Sequence, residues 1–137
     1  MKQPGENEVD ESVCQYASVW KVLVGVIPGA DLTDRPGLSI RWADHDFPFW
    51  NAVFLTEQLT DGRVLQSRLE EASAYIREKR KNGLIYICQD YLSGSAQGGL
   101  PAALAKEKLE LALPVHGMAG NFLPLKTPMH HSLRIER

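Results

Sequence analysis

The segment GLIYICQDYL, residues 83–92, runs directly into SGSAQGGLPAALAKEKLELA, residues 93–112. A near-continuous apolar run of this length predicts a strand covered on both faces and central in its sheet. The glycine-rich turn and helix that follow commit the chain to packing helices against that sheet. A strand, a glycine loop and a helix in this order can also hold a phosphate. Glycines free the backbone to turn, and the first amides of the helix point at the anion. Gly94, Ser95, Gly98 and Gly99 are the candidate cofactor-binding residues on this reading. The pattern contains neither GxxxxGK[ST], since the first lysine after the glycines is Lys106, nor GxGxxG. Pro101, expected in the first turn of the helix, removes one amide. A loop that only joins a strand to a helix fits the same residues.

The rest of the chain supplies partners for that unit. Residues 1–11 read as a flexible lead-in. From Ser12, residues Val13, Tyr16, Ala17, Trp20, Leu23, Val24 and Ile27 recur at three- and four-residue steps and share one helical face. Ser12 with Gln15 has capping-box spacing, and Pro28-Gly29 supplies the stop. LSIRW, residues 38–42, alternates as a half-buried strand does, and a second strand begins at Asn51. A helix after Thr60-Asp61-Gly62 carries Leu65, Leu69, Ala72 and Ile76 on one stripe and is expected to end at the Asn82-Gly83 cap. Leu104 and Leu111, with Ala103, mark the expected buried side of the helix after the glycines. Residues 115–125, VHGMAGNFLPL, read as a further strand, and SLRIER at the end as the start of another. The expected fold class is α/β, with a mixed sheet and helices packed on it.

A chain of 137 residues has room for one domain with its own core. A formal net charge of −2 with both signs interspersed gives no footprint for nucleic acid or an anionic membrane. Cys14 and Cys88 lack CxxC spacing and lie in separate elements, so both are expected as reduced thiols, Cys88 buried. The polar, acidic N-terminus has no secretory core and the longest apolar-rich run is too short to span a bilayer, so the expected location is cytoplasmic.

The chemistry concentrates between the two early strands, in ADHDFPFW. His45 between Asp44 and Asp46 suggests a general base, with His45 or Asp46 as candidates. One histidine with two adjacent acids is not a metal-ligand set, and no metal is expected. Trp42, Phe49, Trp50 and Asn51 are candidate substrate-pocket residues, with closure of the core edge as the structural alternative. Ser95 is not at the centre of a GxSxG elbow. His116 reads as a structural histidine and His130-His131 as a solvated pair in the tail.

Several phrases taken together resemble the N-terminal half of two-part members of the GNAT superfamily of N-acetyltransferases. The first is Pro48, Phe49, Trp50, Asn51, Ala52, Val53, similar to a PxFNAV strand with Trp50 inserted or substituted. The second is Gly117, Met118, Ala119 with Leu123 and Leu125, similar to a closing GMAxxL. The resemblance covers residues 38–125. It implies a GNAT-like, mostly antiparallel central sheet flanked by helices over residues 12–125, with 126–137 a tail or the start of a second half. It also implies acetyl-CoA as cofactor, acyl transfer to an amine, and either a homodimer or a C-terminal GNAT half as partner. The chain departs from the family at the phosphate loop, [QR]xxGx[GA]. Gln89 is followed by Asp-Tyr-Leu-Ser-Gly and Gln97 by Gly-Gly-Leu. The resemblance therefore implies an accessory, non-catalytic half. The alternatives are a stand-alone acyltransferase with an atypical glycine cradle and an interaction module that dimerises through an exposed sheet edge.

Overall fold

The structure, a computed structural model, describes residues 6–115. The runs expected as strands at 115–125 and 132–137 lie outside the described residues except for Val115, as do His116, His130 and His131. Helix α1 (Glu6–Gly25) comes first, followed by strands β1 (Asp34–Arg35), β2 (Leu38–Trp42) and β3 (Asn51–Leu55). Helix α2 (Gly62–Lys79), strand β4 (Leu84–Tyr86) and helix α3 (Gly94–Lys106) complete the order. The four strands lie side by side as β1-β2-β3-β4. β1/β2 and β2/β3 are antiparallel and β3/β4 is parallel. The fold is α/β with a mixed sheet.

Local chemistry accounts for these elements. Pro36-Gly37 turns β1 into β2, with Gly37 at φ +75, which a type II turn requires of its third residue. β2 and β3 pair from Leu38↔Leu55 to Trp42↔Asn51, so the pleat sends alternate residues to opposite faces. Leu38, Ile40, Trp42, Val53 and Leu55 meet Leu65, Leu69, Ala72 and Tyr75 of α2 and Ala96 and Ala103 of α3 in the main core. On the opposite face Ala52 and Phe54 meet Ala17 of α1, with Tyr16, Trp20 and Tyr86 packed around them. Asp61 caps α2 by accepting from the Arg63 amide at 2.8 Å.

Several expectations need correction. α1 begins at Glu6, so Glu6–Glu11 is helix and not lead-in, and Ser12 lies inside the helix. Acidic residues near a helix start are favoured by the helix dipole, which favours that earlier start. Leu23, assigned to the inward face of α1, is 41% exposed. α2 ends on Arg80 at φ +55, before the expected Asn82-Gly83 cap.

Among the described residues β4 is a three-residue strand paired on one side only, to β3. Its apolarity reflects cover on both faces: Ile85 and Ile87 pack toward α2 and α3, while Tyr86 stacks on Phe54 at 4.6 Å. Two-sided cover leaves the same sequence signal at an edge as in the middle. Cys88, expected buried, is half-buried, and both cysteines are free. The glycine loop is helix, with Pro101 in its interior and not its first turn. Leu111 lies past the end of α3 and is 82% exposed.

Candidate functional site

The candidate anion site is the start of α3. The chain reaches it as an extended segment beside residues 59–60, with the Leu59 amide donating to the Tyr91 carbonyl at 2.8 Å and the Ser93 amide to the Leu59 carbonyl at 3.0 Å. The Ala96 amide donates to the Thr60 carbonyl at 3.3 Å. The Ser95 hydroxyl donates to the same carbonyl at 3.3 Å and accepts from the Gly62 amide at 2.9 Å. Ser95 thereby joins the starts of α2 and α3. A Cβ on Gly62 would come within 2.9 Å of the Ser95 carbonyl oxygen. Gly94 holds φ +54, and a Cβ there would sit 3.0 Å from the Thr60 carbonyl oxygen. Gly98 and Gly99 lie within the helix, where a Cβ would meet nothing within 4 Å.

The loop between β2 and β3 is organised by Asn51. Its carboxamide oxygen accepts from the His45 amide at 3.0 Å, and its nitrogen donates to the carbonyls of His45 at 2.6 Å and Asn82 at 2.9 Å. Asn51 is fully buried and ties this loop to the connection before β4. The Nδ1 of His45 accepts from the Phe47 amide at 2.9 Å. In the neutral ring the proton therefore sits on Nε2, and the nitrogen that could act as a base is already engaged. Asp46 pairs with Lys81 at 3.0 Å. The hydrogen bond from Lys81 and its charge hold the Asp46 carboxyl below the usual range and the Lys81 ammonium above its own. A carboxylate held ionised in this way is a weak base.

The four pocket candidates are divided by the sheet. Trp42, fully buried, packs edge-on against Tyr75 on the α2 side at 5.4 Å. Trp50 packs against Trp20 of α1 at 5.7 Å, and Phe49 lies against Phe47 at 5.1 Å. Asn51 is occupied by backbone groups. His45 and Asp46 share the loop with Phe49 and Trp50, while Gly94, Ser95, Gly98 and Gly99 belong to α3.

Two polar networks escaped the sequence reading. In the first, Asp31 accepts from the Tyr75 hydroxyl at 2.7 Å, from the Thr33 amide at 3.1 Å and from the Thr33 hydroxyl. Burial raises the Asp31 carboxyl, but these hydrogen bonds and the charge of Lys79 leave it below the usual range. Burial and the Asp31 carboxylate push the Tyr75 hydroxyl strongly upward. Lys79 and Arg35 stand over the Tyr75 ring at 5.2 and 5.7 Å. The Asx-turn spacing of Asp31 and Thr33 is the one sequence trace of this network.

In the second, buried Arg41 donates through Nε to the Ala17 carbonyl of α1 at 3.0 Å and through Nη1 to Asp34 at 2.8 Å. No sequence pattern marks it, because alternation predicts only that Arg41 faces away from Ile40 and Trp42. Among the described residues there is no group of three His, Cys, Asp or Glu side chains placed to hold a metal. No helix among them is long and apolar enough to cross a membrane. The outer side of α1 carries a shallow open groove lined by Glu11, Cys14, Gln15, Ser18, Val19 and Val22. Compared with family models, curated proteins and solved structures, the chain matches none.

Proposed function

We propose that this chain is a non-catalytic accessory module, built like the N-terminal half of a two-part GNAT N-acetyltransferase. Its partner on this reading is a catalytic GNAT half or a second copy. The observation that carries it is the start of α3, the place where an acyl-coenzyme A pyrophosphate would need open amides. There the Thr60 carbonyl takes the Ala96 amide and the Ser95 hydroxyl, and Ser95 is itself bound to Gly62. A carbonyl oxygen lining that position repels a phosphate oxygen. The engaged Nδ1 of His45 and the Lys81-paired Asp46 support the same reading. So does the exposure of Val19 and Val22 on α1 and of Val26 just past its end, apolar surface suited to a protein partner. Isothermal titration of the chain with acetyl-CoA tests the proposal. No heat of binding is expected up to millimolar ligand, and micromolar binding overturns it.

A further inference from the structure

β4 is the sheet's outer strand on one side, and among the described residues nothing pairs with its free edge. Edges of this kind are ordinarily short, charged or bulged, because a row of open amides and carbonyls invites another strand. β4 is short but carries Leu84, Ile85 and Tyr86, and no charge lies between Lys81 and Asp90. Helices lie over both of its faces, α2 and α3 toward Ile85 and Tyr16 of α1 against Tyr86, and its three residues are half-buried. A strand added at this edge would enter a layer whose cover exists.

Chain direction says which way that strand runs. β3 and β4 are parallel and are joined through α2, and α3 packs beside α2 against the same core. Crossovers between parallel strands are almost always right-handed. Two right-handed crossovers that place their helices on one face must step across the sheet in one direction. The step from β3 to β4 sets that direction, so a strand following α3 would lie beyond β4 and parallel to it.

We propose that the free edge of β4 is the docking edge for one further parallel strand, and that its occupant is this chain's own segment at residues 115–125. That segment, VHGMAGNFLPL, has the apolar content of a covered strand. Residues 107–109 close the end of α3, with the Leu109 amide donating to the Leu104 carbonyl at 2.9 Å, and residues 110–114 beyond them reach roughly 17 Å when extended. That exceeds the roughly 10 Å between packed layers. The inference goes beyond the acetyltransferase reading and does not depend on it, since it rests on handedness and on the uncovered edge.

Two measurements on the full chain test it. In the wild-type protein, cross-strand nuclear Overhauser contacts are expected between the backbone of residues 84–86 and that of 115–125. Contacts from β4 to another segment, or none, overturn the proposal. In hydrogen–deuterium exchange, the outward amides of β4 should be protected at least tenfold over exposed amides, independent of protein concentration. Phe122→Pro, which removes a donor from the docked strand, should abolish that protection while α2 keeps its own. Protection that survives this change, or that rises with concentration as pairing between copies would require, overturns it. If Phe122→Pro unfolds α2 as well, the wild-type contacts decide.

Discussion

The two faces of the sheet are built differently. Toward α2 and α3 the strands contribute Leu38, Ile40, Trp42, Val53 and Leu55, and the helices answer with Leu65 and Leu69, both fully buried. Toward α1 the buried cluster among the described residues is the smaller set Ala17, Ala52 and Phe54, ringed by half-buried aromatics, and Val24 of α1 is fully buried as well. Arg41 takes a place there that an apolar side chain would otherwise fill. One face is held by area removed from water, the other by directed contacts: a guanidinium on a helix carbonyl, and rings meeting edge to face. The second kind fixes where α1 sits with little apolar burial. It should therefore be lost more locally.

The largest effect should come from the apolar face. Leu69→Ala removes a fully buried side chain between α2 and the sheet, and should cost about 2–5 kcal/mol in denaturant unfolding. All elements should unfold together. Arg41→Ala should cost about 1–3 kcal/mol, the range for hydrogen bonds made by a charged donor. Its signature should differ: exchange protection falls in α1 while α2 and β3 retain theirs. Global loss of protection in Arg41→Ala would mean that the two faces are one cooperative unit and that the contrast is only compositional.

Alkaline titration sharpens the same contrast. Burial, followed by a hydrogen bond with Tyr16, pushes Tyr86 on the α1 face up to about 12. Burial and then Asp31 raise Tyr75 on the α2 face further still. Both folded values lie above that of an unfolded tyrosine, near 10. The stability they contribute is thus complete below about pH 10 and lost as pH climbs through the folded values. Ultraviolet titration of tyrosinate should show Tyr86 ionising before Tyr75, each assigned by its absence in Tyr86→Phe or Tyr75→Phe. Tyr75 ionising first would reverse the ranking of the faces.

Much of this architecture was legible in the sequence. α2 follows from period alone, because it has one buried face and the pattern records it. β2, expected half-buried, and β3 are buried on both faces, Ser39 and Arg41 included, so alternation found β2 but misjudged its cover. The place of β4 was not legible: its apolarity records cover above and below and says nothing of how many of its edges are paired. Helix ends slipped for a related reason. α1 already includes Glu6, and the end of α2 is set by the left-handed backbone of Arg80, where composition pointed to Ser12 and Asn82-Gly83. The candidate site was least legible. Asn51 was read as lining a pocket, yet its partners are backbone groups 6 and 31 residues away in sequence. Contacts of that range leave no local pattern.

The smallest effects come from a pair of glycines whose surroundings separate close packing from open helix. At Gly83 a Cβ would lie 2.5 Å from Cζ3 and 2.7 Å from Cη2 of Trp42, and 2.9 Å from the Asn51 carbonyl oxygen. Trp42 is fully buried and cannot swing away, so Gly83→Ala should cost about 1–3 kcal/mol as an overpacked core does. At Gly98 a Cβ meets nothing within 4 Å, and the residue lies inside α3. Gly98→Ala should therefore stabilise the chain by about 0.5–1 kcal/mol, the difference between glycine and alanine in a helix interior. A phosphate-cradling loop predicts the opposite sign, since its glycine would be held in a conformation alanine resists. A rise in the denaturation midpoint for Gly98→Ala with a fall for Gly83→Ala confirms helix at the first position and tight packing at the second. A fall in both would restore the glycine segment as a loop.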